Sequence, residues 1–412
     1  MEPVRRIAPT AWMSAPETIA VVRALQADGA RVRFVGGCVR DTVLERAITD
    51  IDIATPDAPE KVMTLLARDY IRAVPTGIAH GTITAVIDHK HFEITTLRVD
   101  VESHGRHATI AFTDDWMADA ARRDLTFNAM SLAPDGALYD PFNGLADLES
   151  GRVRFVGEAS QRILEDHLRL LRFFRFYAWF GRGAFDEDGF AAAKASAHLL
   201  PKLSGERVQA EMKKLLAAPE PLKALRGMRE CGALAHVLPE DGALDRLRAL
   251  VARERAGDQS ADAIRRLAAL VRGRVTDELA VRWRLSNADA ARLAALAGPI
   301  ERLDAGFDAR ALRPVLYRRG AALTRDLVLL AWAEAGATDD APWRAMLDEA
   351  ARWVPRELPI KGADALKLGV PPGPQVGQLL AEIEQWWIEQ DFVPDRKDLL
   401  EKLAALARKS LA

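Results

Sequence analysis

Two aspartates one residue apart, Asp50 and Asp52, stand in the run TDIDIAT. The β-branched residues around them favour a strand, where side chains alternate. Both carboxylates then project to one face while Ile51 turns to the core. Carboxylates held side by side repel each other, and the pair becomes useful when it holds divalent cations. Mg2+ fits, because it binds through one or two carboxylates together with substrate phosphates. Two such ions activate an attacking hydroxyl and stabilise a departing pyrophosphate. A solvated face on an edge strand is the plain alternative for such a pair alone. The preceding run, RVRFVGGCVRD, shifts the balance. Gly36 and Gly37 close a strand-like stretch before a helix-like one, so the backbone can turn tightly and approach a ligand. The helix N-terminus that follows attracts phosphate, and Arg40 falls in its first turn. An ordinary strand-to-helix turn explains the glycines by themselves. The order of glycine pair, arginine and then two aspartates is what phosphate chemistry needs.

A second constellation is EDHLRLLRFFRF, where Asp166 and Arg169 are three residues apart and are read as neighbours on one helical face. A carboxylate accepts from an exocyclic amine, and a guanidinium donates to ring acceptors. Cytosine and adenine both set an amino group beside an acceptor. Guanine and uracil present a ring N–H beside a carbonyl. The pair therefore suits C and A and rejects G and U; the alternative is a surface ion pair. Arg172 and Arg175 continue the three-residue spacing, but an ideal helix turns about 180° from position 166 to position 175. All four cannot face one base edge, so Arg172 and Arg175 are assigned to phosphate, sugar or support of the reading pair.

These residues need a frame. The chain has 412 residues, enough for two to four domains. Hydrophobic residues at 49% and charged residues at 28% give a globular composition with material for several cores. The net charge of -2 supplies no overall basic field, so any RNA-binding surface has to be a local patch. The first ~145 residues hold short strand-like runs (RVRFVGG, IDIAT, GTITAVI, HFEITTLRV) around a helix in PDAPEKVMTLLARDY. From about Ala159 the texture becomes helical, rich in Ala, Leu, Arg and Glu. Cys38 and Cys231 lack metal-like or redox-like companions, no secretory leader follows Arg5 and Arg6, and no apolar run reaches membrane-spanning length. A reduced, cytoplasmic setting is expected. All eight histidines lie at or before His236, so the C-terminal part has none to give to a histidine-aspartate hydrolase site.

The stretch FVGGCVRDTVLERAITDIDIAT resembles the head-domain signature of tRNA nucleotidyltransferases and bacterial poly(A) polymerases. RRDLTFNAMSL, EDHLRLLRFFRF and LSGERVQAEMKKLL follow in that family's order, and KGADALKLGVPPGPQVGQLL resembles it more faintly. The resemblance implies an α/β nucleotidyltransferase (polymerase-beta-like) head with a mixed sheet, followed by all-helical neck, body and tail. Expected boundaries are 1–148 for the head, 149–215 for the neck with its nucleotide-selecting helix, 216–300 for the body and 301–412 for a tRNA-binding tail. It implies Mg2+-dependent addition of C, C and A to the 3′ end of tRNA from CTP and ATP. Asp50 and Asp52 are then catalytic, with Glu93 a candidate third metal carboxylate; a structural ion pair is an equal alternative for Glu93. Gly36, Gly37, Arg40 and Arg123 would hold the triphosphate, Asn128 would lie near the sugar, and Asp166 with Arg169 would act as a protein template. The family treats Arg172 and Arg175 as nucleotide-contacting. Arg122, Arg123 and Asp124 are expected to open a helix, RVDVESHGRHATIAF to be a mobile loop, and Glu206 and Arg207 to be structural. The basic pairs Arg265–Arg266, Arg272–Arg274, Arg282–Arg284 and Arg318–Arg319 are expected on solvated faces or against RNA phosphates, and Trp386–Trp387 in helix packing. Rivals are a poly(A) polymerase, a CC-only or A-only enzyme, and an inactive tRNA-binding protein. PTGIAHGTITAV stands where poly(A) polymerases usually carry a basic GRRF-like run, which favours the tRNA enzymes.

Overall fold

A computed structural model of the chain describes residues 1–104, 107–238, 243–271, 276–298, 303–336 and 339–411. The chain forms two compact units, one of residues 1–242 with 278–285, the other of 243–277 with 286–412.

The first unit is built on a mixed sheet. Its strands are β1 (Arg5–Arg6), β2 (Arg33–Val35), β3 (Ile51–Thr55), β4 (Arg72–Gly77), β5 (Thr82–Ile87), β6 (Lys90–Thr96), β9 (Ser131–Leu132) and β10 (Ala137–Tyr139), in the order β1-β10-β9-β2-β3-β6-β5-β4. Only β3 and β6 run parallel, and their register sets Asp52 beside Glu93; on its other side Asp52 faces Val35 of β2. Helix α3 (Pro59–Arg68) crosses between them and buries Val62, Leu65 and Leu66, the apolar stripe expected from the sequence. Helices α1 (Pro16–Gln26) and α2 (Gly37–Val43) complete this layer, and Phe34, Val39, Ile53, Ile83 and Ile94 fill the core.

The segment expected to be a mobile loop is instead the antiparallel pair β7 (Arg98–His104) and β8 (His107–Phe112). Val99 and Val101 in β7 and Thr109 and Ile110 in β8 are β-branched residues that favour strands, a signal the polar composition around Gly105 had masked. Gly105 itself lies outside the described residues.

Helices α4 (Trp116–Ala121), α5 (Gly144–Ser150), α6 (Ala159–Glu165), α7 (Leu168–Phe180), α8 (Glu187–Ser196), α9 (Gly205–Leu216) and α10 (Pro221–Glu230) follow. Helix α7 packs against α9 and α10. It buries Phe173 and Phe174 among Phe155, Phe185 and Phe190. Each fully buried phenylalanine contributes roughly 1.5–3 kcal/mol of transfer free energy. That aromatic side anchors α7, and its other side carries Arg169, Arg172 and Arg175.

The second unit's elements among the described residues are all helices, joined by short non-helical stretches. Arg265 and Arg266, expected at the surface, are 4% and 3% exposed. Both guanidiniums converge on Glu254, and Arg265 also reaches Asp326 at 2.9 Å. Helix Ala263–Val271 turns them inward because each finds a buried carboxylate there. Arg272 and Arg274 lie outside the described residues. Trp387 is buried with Ile383, Phe392, Leu399 and Leu403, and Trp386 packs against that cluster. No helix among the described residues is long and apolar enough to cross a membrane.

Candidate active site

A cavity of about 480 Å³ in the first unit is lined by Gly36, Gly37, Arg40 and Asp52 from the sheet side and by Arg123, Asn128, Asp166, Arg169 and Arg172 from the helical side. Its volume suits a nucleotide-sized ligand. Gly36 adopts φ 71°, and a Cβ there would stand 3.3 Å from Asp52 Oδ2 and 3.7 Å from Arg123 Nη1. Glycine therefore meets two demands at once: a backbone that side chains resist, and an open passage between carboxylate and guanidinium.

Asp50 lies just ahead of β3 and is exposed; Asp52 lies within the strand. Burial, reinforced by Glu93 and Asp50 and opposed by Arg123, pushes the Asp52 carboxyl up to about 6. Asp52 in the inner strand β3 and Asp50 just ahead of it offer hard oxygens of the kind a divalent cation takes. Glu93 adds its charge from the neighbouring strand. Among the described residues, no three His, Cys, Asp or Glu side chains close into a ready-made metal cage.

A continuous polar chain runs from Arg40 on the sheet side to Arg172 on the helical side. Arg40 donates to both Asp41 oxygens (3.0 and 2.7 Å) and to Asn128 Oδ1 (3.2 Å). Asn128 in turn donates to Asp124 Oδ1 at 3.0 Å, and Arg172 Nε donates to Asp124 Oδ2 at 2.6 Å. Burial alone would raise the Asp124 carboxyl, but Arg172, Asn128 and the Leu125 amide overcome it and hold Asp124 down to about 2. Arg123 is held at 3.1 Å by Asp119, whose carboxyl burial would raise and which Arg123 and Arg122 keep below the usual range.

Two local expectations are corrected. Arg122, Arg123 and Asp124 do not open a helix: α4 ends at Ala121, Arg122 caps its C-terminus, and a short 3-10 turn, Thr126–Asn128, follows. Asp166 and Arg169 do not share one helical face either. Helix α6 ends at Glu165 and Asp166 is extended at φ -150°, ψ 108°. Its Oδ1 accepts from the Leu168 amide at 3.1 Å, a side-chain turn that competes with helix continuation. Both residues nevertheless line the cavity. Arg169 is fixed by Glu165 (2.5 Å) and the Arg122 carbonyl (3.0 Å). Arg175 is not brought into this cavity; it pairs with buried Glu211 at 2.5 Å and lies over the Phe176 ring at 3.8 Å.

Several lining residues were not singled out from the sequence. Arg207, expected to be structural, lines the cavity and donates to Asp166 Oδ2 at 2.7 Å. Arg122, Asp124 and Phe176 also line it. One signal was available: Arg207 and Glu211 are four apart on α9, a charged edge complementary to Asp166, Arg172 and Arg175 around α7.

Comparison with known proteins agrees with this layout. Residues 32–154 match the family described as "Poly A polymerase head domain", and residues 184–241 match "Probable RNA and SrmB- binding site of polymerase A". The chain is 35% identical over 384 residues to the CCA tRNA nucleotidyltransferase 1, mitochondrial, of Danio rerio, covering 90% of this chain and 87% of the relative. It is 30% identical to the CCA-adding enzyme of Limosilactobacillus fermentum, covering 94% and 96%. The crystal structure of the Bacillus stearothermophilus CCA-adding enzyme in complex with CTP superposes with a TM-score of 0.78 at 29% identity, covering 96% of this chain and 98% of that one. An open glycine turn and paired aspartates at the inner strands β2 and β3, facing an arginine-lined helical wall in a chain that matches such relatives along nearly its whole length, place this protein in the CCA-adding tRNA nucleotidyltransferase family.

Proposed function

We propose that this chain adds C, C and A to the 3′ end of tRNA from CTP and ATP, releasing pyrophosphate. The observation that carries the reading is the single cavity shared by Asp52, the Arg40–Asn128–Asp124–Arg172 chain and the Asp166/Arg169 pair. Gly36 and Gly37 let the triphosphate approach the turn between β2 and α2, and Arg40 and Arg123 offset its charge. Asn128 sits between Arg40 and Asp124, where it can meet the sugar. Asp166 retains lone pairs for an exocyclic amine, and Arg169 presents donors to a ring acceptor. Arg172 holds Asp124, and Arg175 supports α7 from behind. Asp50 and Asp52 would hold Mg2+, which supplies activation of the terminal ribose hydroxyl and neutralisation of the leaving pyrophosphate. The in-line attack of that hydroxyl on the α-phosphorus then breaks the bond to the β-phosphate.

The boundaries 1–148, 149–215, 216–300 and 301–412 are proposed as head, neck, body and tRNA-binding tail. A cytoplasmic location is proposed on the two buried, unbridged cysteines, Cys38 and Cys231; cell fractionation checks it, since the Danio rerio relative carries "mitochondrial" in its name.

The test is incubation with tRNA lacking CCA, using each nucleotide separately and in mixtures, followed by sequencing of the ends. Asp50→Ala and Asp52→Ala should each abolish transfer while preserving the circular dichroism spectrum. Turnover at the unaltered rate in either variant would reject the assignment. Long oligo(A) tails from ATP alone would favour poly(A) synthesis, and products stopping at CC or needing CC would mark a partial specialist.

A further inference from the structure

Two glycines in succession, Gly36 and Gly37, leave the turn between β2 and α2 little stiffness of its own. Helix α2 after it has only seven residues, and Gly36 supplies no side-chain cap. A helix that short does not hold itself, so its direction has to be set by what packs against it.

Residues 4–13 supply that packing. Strand β1 lies beside β10, where the Val4 amide donates to the Leu138 carbonyl and the Ile7 amide to the Gly136 carbonyl, both at 2.8 Å. A Cβ on Gly136, at φ 85°, would collide with the Ile7 carbonyl oxygen, so the chain crosses there in close contact. Arg5 pairs with Glu149 at 2.8 Å and Arg6 with Asp135 at 3.3 Å. The strap anchored in this way brings Trp12 to the glycine turn. The Trp12 ring meets Phe34 of β2 edge-on, with centroids 4.7 Å apart at 74°. Its indole N–H donates to Thr42 Oγ1 of α2 at 3.1 Å. Thr42 passes its own proton to the Cys38 carbonyl at 2.6 Å, and Cys38 Sγ donates to the Val35 carbonyl at 3.2 Å. One half-buried side chain therefore bridges the strand before the turn and the helix after it. Arg40 lines the nucleotide cavity, and Thr42 stands two residues on, about 200° around the helix. Trp12 thus grips α2 from the side away from that cavity.

We infer that Trp12 is a positioning residue that sets the angle between β2 and α2, and through it the reach of Arg40 and the Gly37 backbone toward the triphosphate. The inference rests on the nucleotidyl-transfer reading above. Asp41 and Asn128 hold the far end of the Arg40 side chain, while Trp12 fixes the helix from which that side chain starts.

The full-length protein is compared with Trp12→Ala, Trp12→Phe and Thr42→Val. Amide hydrogen exchange of residues 36–44, read by mass spectrometry without nucleotide, should quicken about tenfold in Trp12→Ala while β3 and α7 keep their rates. In single-nucleotide incorporation, KM for CTP and for ATP should each rise about tenfold in Trp12→Ala with kcat within about threefold, because the lost contacts serve the bound triphosphate as well as the transition state. Trp12→Phe keeps a ring against Phe34 but loses the donor, and Thr42→Val loses the acceptor. Each should raise KM about threefold, and the two together no more than either alone, since they remove the same hydrogen bond. KM for tRNA should stay within about twofold in every variant. A fall in kcat with unaltered nucleotide KM overturns the assignment, because packing alone lowers the folded fraction without moving KM. Unaltered exchange of residues 36–44 in Trp12→Ala overturns it as well. Absence of CMP transfer by the unaltered protein would instead strike at the reaction itself, while the exchange comparison would still decide whether Trp12 holds the turn.

Discussion

Arg207 of α9 donates to Asp166 Oδ2 across 2.7 Å, while the Leu168 amide takes Oδ1 at 3.1 Å. Asp166 is extended between two helices, and its amide donates to the Arg162 carbonyl at 3.4 Å, which ties the backbone and leaves the carboxylate to other donors. The two donors hold its carboxylate plane, and that plane is what a base-reading acceptor must keep constant.

Removing the guanidinium should therefore blunt the reading of the base. Arg207→Ala is expected to lower kcat/KM for both CTP and ATP about tenfold, since a charge-assisted hydrogen bond contributes roughly 1.5–3 kcal/mol and this one is partly solvated. Arg207→Lys should recover part of the loss, because a single charged donor suffices for one oxygen. Single-nucleotide incorporation with all four nucleotides reads the effect. Equal kcat/KM in Arg207→Ala and the unaltered protein would show that Asp166 needs no such support.

Asp124 supplies a pH-dependent test of the polar chain behind the cavity. Its carboxyl is held at about 2 in the folded protein, below the ~3.9 of an unfolded aspartate. The folded state thus favours the ionised form, and the stabilisation is fully present above pH ~4 and lost as pH falls through about 2. A gap of that size corresponds to roughly 2–3 kcal/mol. Asp124→Asn should be destabilised by about that amount at pH 7, and the difference should shrink between pH 4 and pH 3. Urea midpoints at those pH values measure it; a difference that stays constant from pH 7 to pH 3 would contradict the charge-based account.

The second unit offers a test that does not involve the cavity. Glu254 is 1% exposed and its two oxygens each meet one buried arginine, Arg265 and Arg266, at 2.7 Å. Truncation removes the counter-ion shared by two guanidiniums that stay buried. Glu254→Ala is expected to cost about 3–5 kcal/mol, and Glu254→Gln less, because the amide keeps an acceptor. Both are read from urea unfolding of the full chain. An alanine variant with the unaltered midpoint would mean the arginines can reach water.

The elements that carry Gly36, Gly37, Arg40 and Asp52 were legible in the sequence because their constraints are local. A glycine pair, an arginine and two closely spaced aspartates mark a strand, a turn into a helix and a second strand, and β2, α2 and β3 form where that spacing places them, with Asp50 just ahead of β3. The helical wall was less legible because its geometry depends on distant partners. Nothing in EDHLRLL breaks a helix by propensity. The break at Asp166 arises when its own side chain captures the Leu168 amide and Arg207 arrives from α9. Arg265 and Arg266 look like surface residues until Glu254 and Asp326 are brought to them. Sequence periodicity reports which side of a helix is apolar, not which arginine has a buried acid waiting.

The most demanding prediction concerns reversal of the base-reading pair. Exchanging acceptor and donor, Asp166→Arg with Arg169→Asp, presents a guanidinium where uracil or guanine offers a carbonyl and a carboxylate where it offers an N–H. The neighbours oppose that exchange. Arginine at position 166 would face Arg207, and aspartate at position 169 would face Glu165, which now holds Arg169 at 2.5 Å. Like charges in partly buried positions displace each other, so the double variant alone should lose transfer about a hundredfold with all four nucleotides, given ~1.4 kcal/mol per decade. Adding Arg207→Glu and Glu165→Arg restores opposite charges around both positions. The fourfold variant should regain measurable transfer and favour UTP or GTP over CTP and ATP about tenfold, the lower part of the ~1–3 kcal/mol that paired hydrogen bonds discriminate. Arg207→Glu with Glu165→Arg alone serves as the control and should be poorly active without any change in preference. The measurement is single-nucleotide incorporation on tRNA ending before and after CC. If the double reversal alone transfers C and A at near the unaltered rate, positions 166 and 169 do not read the base, and Arg172, which lines the same cavity, becomes the residue to test.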